Sequence, residues 1–329
     1  RSSRSSDRGD RGDRDAKSTP KELKEQIGRY NDKKYLGASM GLYRMLEEGK
    51  YPEHEYKIEY YLADSLYKLD LLHSAQYYFQ RVIKSGPEAG AYFGNSLLRL
   101  VSIADKTKDP IYLIKTIHKI NPEDYPGKVK DDLYYYAGVA DFERQDYKAA
   151  KRNFARLGKS TSHYVKARYY IGVIQNVQSK KAAAAKTFQS IIQGQGNFVG
   201  DPDEIASVTQ LALVNIARIY YGAERYARAA EFYEKIGSQA RESNHWGTSL
   251  FESAWAYFMS ENKEHKALGH LLTLSSPFFD RDFIPDAKIL EALTYYRICE
   301  FKEVEAILDS FKAEYTPVLT TIESMLPAD

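Results

Sequence analysis

Apolar residues recur at intervals of three and four along this chain from Pro20 onward, as in YKIEYYLADSLYKL (56–69) and LALVNIARIYYGAERYARAAEFYEKI (211–236). Such spacing places apolar side chains on one face of an α-helix, and almost no stretch alternates with the period of a strand. Breaker segments containing glycine or proline separate the helical stretches at EGKYPEH, KSGPEAG, NPEDYPG, GQGNFVGDPDE and SSPFFDRDFIPD. The pattern therefore predicts an all-α protein.

A repeat is visible in the spacing of small residues. A small residue on a first helix is followed twelve positions later by an Ala or Val on a second helix, in the pairs Ala63/Ala75, Gly138/Ala150, Gly172/Ala184, Ala217/Ala229 and Ala292/Val304. A large side chain comes four residues later, at Phe79, Phe154, Phe188, Tyr233 and Leu308. Small residues let two helices approach closely, and the large residue fills the gap to the next pair. The spacing thus predicts a series of helical hairpins.

These residues resemble the tetratricopeptide repeat (TPR) family, whose pattern over 34 residues is W-x2-L-G-x2-Y, then A-x3-F, then Pro. The best-matching unit has Leu62, Ala63, Leu66, Ala75, Phe79 and Pro87, with Glu59 in the Trp position. One wide interval predicts a degenerate unit near residues 89–120. The resemblance covers about residues 21–315 and implies a right-handed α-solenoid of about eight TPR-like hairpins.

Three regions follow from this organisation. Residues 1–19 contain no large apolar side chain, which predicts a disordered N-terminal tail. Residues 20–120 form an N-terminal TPR-like segment whose third repeat is degenerate, and residues 121–329 form a C-terminal TPR-like segment.

Charge and candidate chemistry exclude several function classes. The 329 residues include 47 Lys and Arg against 45 Asp and Glu, and this net charge of +2 gives no basic field for nucleic acid or an anionic membrane. No run of apolar residues is long enough to insert into a bilayer. The seven His are scattered without metal-ligand spacing, and Cys299 is expected to be a small buried apolar residue. The sequence therefore predicts no metal, no cofactor and no catalytic site.

Tyrosines suggest a binding surface. The chain has 28 Tyr against 14 Phe and 2 Trp, and many Tyr are adjacent in sequence. In the TPR family the first helices line a concave groove, and rigid rings with a polar tip suit recognition of a peptide or helix. The resemblance implies these partner-binding candidates: Tyr60, Asp64, Tyr67, Tyr135, Phe142, Tyr169, Asn176, Arg218, Tyr221 and Tyr296. The alternative is that the rings serve helix packing alone.

A second candidate surface is the loop SSPFFDRDFIPD, where Phe278, Phe279 and Phe283 lie outside the helical pattern. Exposed apolar loops mark partner sites. The alternative is that these rings plug the seam between two repeats.

The resemblance implies a non-catalytic scaffold that binds partner proteins or peptides. More specifically, residues 251–301 are similar to periplasmic repeat proteins of bacterial envelope assemblies, including those of gliding-motility machinery, which favours a periplasmic setting. The alternative is a cytosolic TPR adaptor in secretion or regulation. An enzyme is disfavoured because no clustered polar pocket is apparent, and an RNA-binding helical repeat is disfavoured because the projected groove is not basic.

Overall fold

The computed structural model describes residues 19–239, 245–279 and 284–325 of the chain. In these ranges it contains sixteen α-helices and no strand, which confirms the all-α prediction. The helices are α1 Lys21–Asn31, α2 Tyr35–Glu47, α3 Glu55–Lys68, α4 Leu72–Lys84, α5 Ala91–Thr107, α6 Ile111–Ile117, α7 Lys130–Glu143, α8 Tyr147–Phe154, α9 Tyr164–Val177, α10 Lys181–Gly194, α11 Pro202–Tyr221, α12 Tyr226–Gln239, α13 Trp246–Phe258, α14 Glu264–Leu274, α15 Asp286–Arg297 and α16 Phe301–Met325.

The chain divides into two compact units between Leu157 and Gly158. The first unit holds α1 to α8, and the second holds α9 to α16. This division lies later than the boundary at residue 120 that the sequence suggests. The reason is that the degenerate unit, α5 and α6, packs against α4 on one side and α7 on the other, so the first unit continues through it.

The predicted small and large residues meet inside the helix pairs. Ala63, Ala75 and Phe79 are fully buried between α3 and α4. A Cβ atom built on Gly138 would lie 2.6 Å from Cε1 of Phe154, and a Cβ on Gly172 would lie 2.6 Å from Cε1 of Phe188. Since real Cβ atoms do not come so near a neighbour, each glycine is required for the approach of its two helices.

A left-handed residue joins the two helices of each pair. In the described chain, all eight links (α1–α2, α3–α4 and so on to α15–α16) contain one non-glycine residue with φ between 55° and 64°. These residues are Lys33, Asp70, Lys108, Gln145, Ser179, Glu224, Asn262 and Cys299. In the α11–α12 link, the N–H of Arg225 donates to the carbonyl of Tyr220 at 3.0 Å, a bond that closes the helix end in a Schellman turn.

This turn corrects the expectation for Cys299. The residue is exposed and occupies the left-handed position between α15 and α16, rather than a buried position on a first helix. The preceding residues YYRI (295–298) predict that Cys299 lies on a first helix, whereas that helix, α15, ends at Arg297.

Glu224→Gly is expected to raise the free energy of unfolding by about 0.5–1 kcal/mol, because a side chain with a Cβ is strained in the left-handed region and glycine is not. Asn262→Gly is the matched control and should gain less, since Asn tolerates this conformation better than Glu. Chemical denaturation of both variants measures the difference. A loss of stability in Glu224→Gly would mean that Glu224 is not held in the left-handed region.

The predicted tail requires one correction at its end. Thr19 is buried, and Nζ of Lys57 in α3 donates to its Oγ1 at 3.0 Å. Thr19 therefore belongs to the first unit, while residues 1–18 of the predicted disordered tail lie outside the described residues.

Candidate functional site

Six tyrosine rings form a continuous group at one face of the first unit. Neighbouring ring centroids lie 5.1–6.0 Å apart, mostly in edge-to-face geometry. All six side chains are half-buried, so each ring both packs and presents surface. We call this group the tyrosine cluster; its members are Tyr30 of α1, Tyr35 of α2, Tyr56, Tyr60 and Tyr61 of α3, and Tyr92 of α5.

Tyr60 lies within this group. Its ring lies 5.1 Å from that of Tyr92 and 6.1 Å from that of the buried Phe79. Burial, together with the negative charge of Asp64, raises the pKa of Tyr60 to about 12. The phenol is therefore neutral at physiological pH, and its O–H remains a hydrogen-bond donor at the edge of the cluster.

Asp64 lies beneath the cluster and is completely buried. The hydroxyl of Tyr30 donates to its Oδ2, and Nε and Nη2 of Arg99 donate to Oδ1 and Oδ2 respectively. Burial and the hydrogen bond to Asp64 raise the pKa of Tyr30 well above its usual range. Asp64 thus joins α1, α3 and α5, and its oxygens are occupied within the unit.

Arg99 also holds the ring of Tyr67. Its guanidinium carbon lies 4.7 Å from the centroid of that ring, a cation–π contact. Tyr67 is half-buried and lies one helical turn from Asp64 on α3. The predicted candidates Tyr60, Asp64 and Tyr67 are therefore brought together, and Arg99 is the residue that connects the last two.

The two candidates on α7 are placed differently. Tyr135 is 8% exposed and packs on Tyr136 and Phe154, so it offers a partner little surface. Its neighbours Tyr134 and Tyr136 are each 7% exposed, and all three consecutive rings are therefore part of the core. Phe142 is half-buried and meets Tyr147 of α8 edge to face at 5.7 Å.

In the second unit, Tyr169 and Asn176 both contact neighbouring side chains. Nδ2 of Asn215 in α11 donates to the hydroxyl of Tyr169 at 3.1 Å, and burial raises the pKa of that tyrosine. Oδ1 of Asn176 accepts a hydrogen bond from Nζ of Lys181 at 2.8 Å. Tyr169 therefore links α9 to α11, and Asn176 links α9 to the start of α10.

Arg218 forms an ion pair between α11 and α13. Its Nε lies 2.9 Å from Oε2 of Glu252, and its Nη2 also donates to that carboxylate. The hydroxyl of Tyr233 in α12 donates to the same Oε2 at 2.7 Å. Burial is the main cause that raises the pKa of Tyr233, and the charge of Glu252 adds to it. The predicted Arg218 is therefore tied to its own unit by a forked, charge-assisted contact.

Two further candidates lie near the ends of first helices in the second unit. Tyr221 is half-buried and meets Tyr226 edge to face at 5.1 Å. Tyr296 is 62% exposed, and its ring meets that of Phe301 edge to face at 5.6 Å. Tyr296 is thus the most exposed of the predicted ring positions on the first helices.

The two described phenylalanines of the loop after α14 have different environments. Phe279 is 6% exposed and lies 4.8 Å from Trp246, which fits a plug. Phe278 is 66% exposed and meets the same Trp at 5.2 Å. The third predicted ring of this loop, Phe283, lies outside the described residues.

Sequence reasoning missed Tyr30, Tyr92 and Arg99. Tyr30 was hidden because the first hairpin matches the repeat poorly on its first helix. Tyr92 and Arg99 lie on α5 in the degenerate unit, where the sequence does not show the repeat's pattern of small and large residues. The signal that could have found Arg99 is the buried charge of Asp64 on α3, because a buried carboxylate requires a cationic or hydrogen-bonding partner.

Among the described residues, no group of three or more His, Cys, Asp or Glu is placed to hold a metal ion. No helix in the described ranges has the length and apolar character needed to cross a membrane.

A known structure shares this helical fold. The apo form of RapI superposes with a TM-score of 0.53, covering 90% of this chain and 86% of RapI at 13% sequence identity. RapI is a tetratricopeptide repeat protein. The chain has a TPR fold. In the pairs α3 with α4, α7 with α8 and α9 with α10, the buried small residues and the large residues that pack against them form the TPR pattern.

Other structural likenesses are weaker. BtubC from P. vanneervenii has a TM-score of 0.46 at 12% identity, covering 71% of this chain and 94% of BtubC. A tetratricopeptide repeat protein from Parabacteroides merdae ATCC 43184 has a TM-score of 0.39 at 14% identity, covering 83% of this chain and 97% of that protein. No family model and no curated protein matches the sequence.

Proposed function

We propose that this chain is a non-catalytic protein-interaction scaffold and that the tyrosine cluster of its first unit is a partner-binding surface. The observation that carries the proposal is the cluster itself, in which six half-buried rings from four helices lie in mutual contact. Rings of this kind present apolar area and a polar tip at low entropic cost, and they dominate the energy of many interfaces.

Pre-organisation supports this surface further. Asp64 and Arg99 join the helices that carry the rings, and the neighbouring rings restrict one another. A partner that meets a fixed surface loses less conformational entropy on binding, so more of the contact energy appears as affinity. Partner chemistry follows from the surface: an extended peptide or a helix with apolar side chains and free carbonyl groups would meet rings and phenol hydroxyls together.

For the setting we propose a bacterial envelope assembly, on the resemblance of residues 251–301 described above. A cytosolic adaptor in secretion or regulation is the alternative. Fractionation of source cells expressing the full-length tagged protein separates the two, because a scaffold of an envelope assembly appears in the periplasmic or membrane-associated fraction.

Tyr56→Ala with Tyr60→Ala is expected to reduce partner capture by about tenfold or more while helicity by circular dichroism stays near the wild-type value, since hot-spot rings carry much of a contact's energy. The measurement is quantitative mass spectrometry of proteins cross-linked to the purified chain in a lysate of its source. The matched control is Tyr43→Ala with Tyr77→Ala, because these rings are 48% and 55% exposed on the second helices α2 and α4.

The two double variants separate the possible results. Loss of the same specific proteins in both would show that the tyrosine cluster is not the binding surface. Failure of the wild-type chain to enrich any protein over an unrelated helical bait would contradict the scaffold function itself.

A further inference from the structure

A cavity of about 450 Å³ opens on the first unit between α4 and α6. Its apolar walls come from Ile83, Pro87, Phe93, Tyr112 and Ile120. Ile83 and Phe93 are each 5% exposed and form the interior, whereas the ring of Tyr112 is 43% exposed at the opening. The volume falls in the range of ordinary ligand pockets, about 300–1,000 Å³.

Three lysines surround this cavity. Lys84 ends α4, Lys115 lies on α6 and Lys119 follows α6, and all three line the cavity and are exposed. In the part of the chain that the structure describes, none of the three lies within 4 Å of a carboxylate oxygen, and Lys84 interacts at longer range with the buried Glu59. Asp124 is the one acidic residue among the lining side chains. The opening is therefore cationic while the interior is apolar.

The two helices that form the cavity are fixed to each other. Nε2 of Gln80 in α4 donates to Oγ1 of Thr116 at 3.0 Å and to the carbonyl of Tyr112 at 3.3 Å. These bonds connect the two helices that carry the lysines, so the walls of the cavity are linked before a ligand arrives. Pre-formed walls lower the entropic cost of binding.

We propose that this cavity, the lysine pocket, binds an acidic peptide segment of a partner protein, with one aromatic or aliphatic side chain as the anchor in the apolar interior. Charge complementarity selects the flanking residues, because carboxylates on either side of the anchor would meet lysines from both walls. A single-headed amphiphile such as a fatty acid carries one charge at one end and satisfies only part of this arrangement.

The lysine pocket is distinct from the tyrosine cluster. Its cations come from α4 and from the region of α6, whereas the cluster is built mainly on α1, α3 and α5. The inference therefore stands whether or not the tyrosine cluster binds a partner, and it adds a second docking surface with a different ligand chemistry.

Fluorescence anisotropy with a labelled Glu-Asp-Phe-Glu-Asp peptide tests the proposal on the whole chain. The acidic peptide is expected to bind saturably, and its affinity should fall as salt rises toward about 150 mM. A peptide with Ser in place of Phe should bind about fivefold or more weakly for lack of the anchor. A Lys-Lys-Phe-Lys-Lys peptide should not bind.

Variants localise the binding. Lys115→Glu with Lys119→Glu is expected to lower the affinity for the acidic peptide by about tenfold or more, since two attractive charges become repulsive. Lys148→Glu with Lys151→Glu makes the same change in net charge on exposed lysines of α8 and should leave the affinity within about twofold of wild type. Tyr112→Ala should lower the affinity for the peptide that contains Phe and leave the affinity for the peptide that contains Ser unchanged.

Several results would overturn the proposal. Equal losses in the two lysine variants would show attraction by net charge alone, without a pocket. Saturable binding of decanoate by isothermal titration calorimetry, without any binding of the acidic peptide, would identify a lipid-like ligand instead. Tyr56→Ala with Tyr60→Ala should bind the acidic peptide as wild type does, so failure of the tyrosine cluster as a partner site would not be mistaken for failure of the lysine pocket.

Discussion

Phe188→Ala is expected to lower the free energy of unfolding by about 3–5 kcal/mol, because it removes a fully buried ring and leaves a cavity between α9 and α10. The ring of Phe188 lies against the Cα of Gly172 and 5.8 Å from the ring of Tyr169. Urea denaturation followed by circular dichroism measures the loss. A cost below about 1 kcal/mol would mean that the ring is not enclosed as described.

A double-mutant cycle sharpens this result. Gly172→Ala alone should cost about 1–3 kcal/mol, since the new Cβ would overlap the ring of Phe188. In a Phe188→Leu background the ring is gone, so the same glycine substitution should cost clearly less. The difference between the two costs is the coupling energy of the pair. Strictly additive costs would show that the two residues do not share one packing contact.

Close packing of this type could be predicted from the sequence because it requires small and large residues at a fixed spacing. The twelve-residue step from Gly138 to Ala150, and the further four to Phe154, depend only on helix geometry and the short turn between helices. The structure places the ring of Phe154 against Gly138 of its own helix pair, whereas the sequence analysis assigned this ring to the gap before the next pair. Helix class and the positions of the paired helices follow from the same local rules.

Exposure of individual rings could not be predicted in this way. Tyr60 and Tyr61 form a doublet whose members are both half-buried, whereas Tyr134, Tyr135 and Tyr136 are all buried. Helical periodicity states only that adjacent side chains point about 100° apart. Whether the second ring of a doublet meets solvent or another helix depends on the neighbouring helices. Here the neighbouring helices include α5 and α6, which belong to the degenerate unit.

The lysine pocket likewise could not be predicted from the sequence pattern. Lys84 and Lys119 are separated by the whole of the degenerate unit, and each by itself reads as a solvated surface residue. They line one cavity because α4 and the region of α6 lie side by side, where Gln80 of α4 donates to Thr116 of α6. Long-range juxtapositions of this kind require the packing of the helices to be known.

Arg99→Met is expected to lower the free energy of unfolding by about 3 kcal/mol, because it leaves the completely buried carboxylate of Asp64 without its cation. Tyr30 would still donate one hydrogen bond to Asp64, which keeps the cost below that of a wholly unpaired charge. Tyr67 would also lose the guanidinium that contacts its ring. Chemical denaturation gives the magnitude.

A control variant and a second substitution at Asp64 test whether the buried charge of Asp64 causes the loss of stability in Arg99→Met. Lys106→Met on the same helix breaks an ion pair with Asp70 in which both side chains are more than half exposed, and it should change stability little. Adding Asp64→Asn to Arg99→Met should recover a large part of the loss, since a neutral amide oxygen can still accept from Tyr30 without a buried charge. If Arg99→Met costs no more than Lys106→Met, Asp64 does not join α1, α3 and α5, and the pre-organisation assigned to the tyrosine cluster must come from ring packing alone.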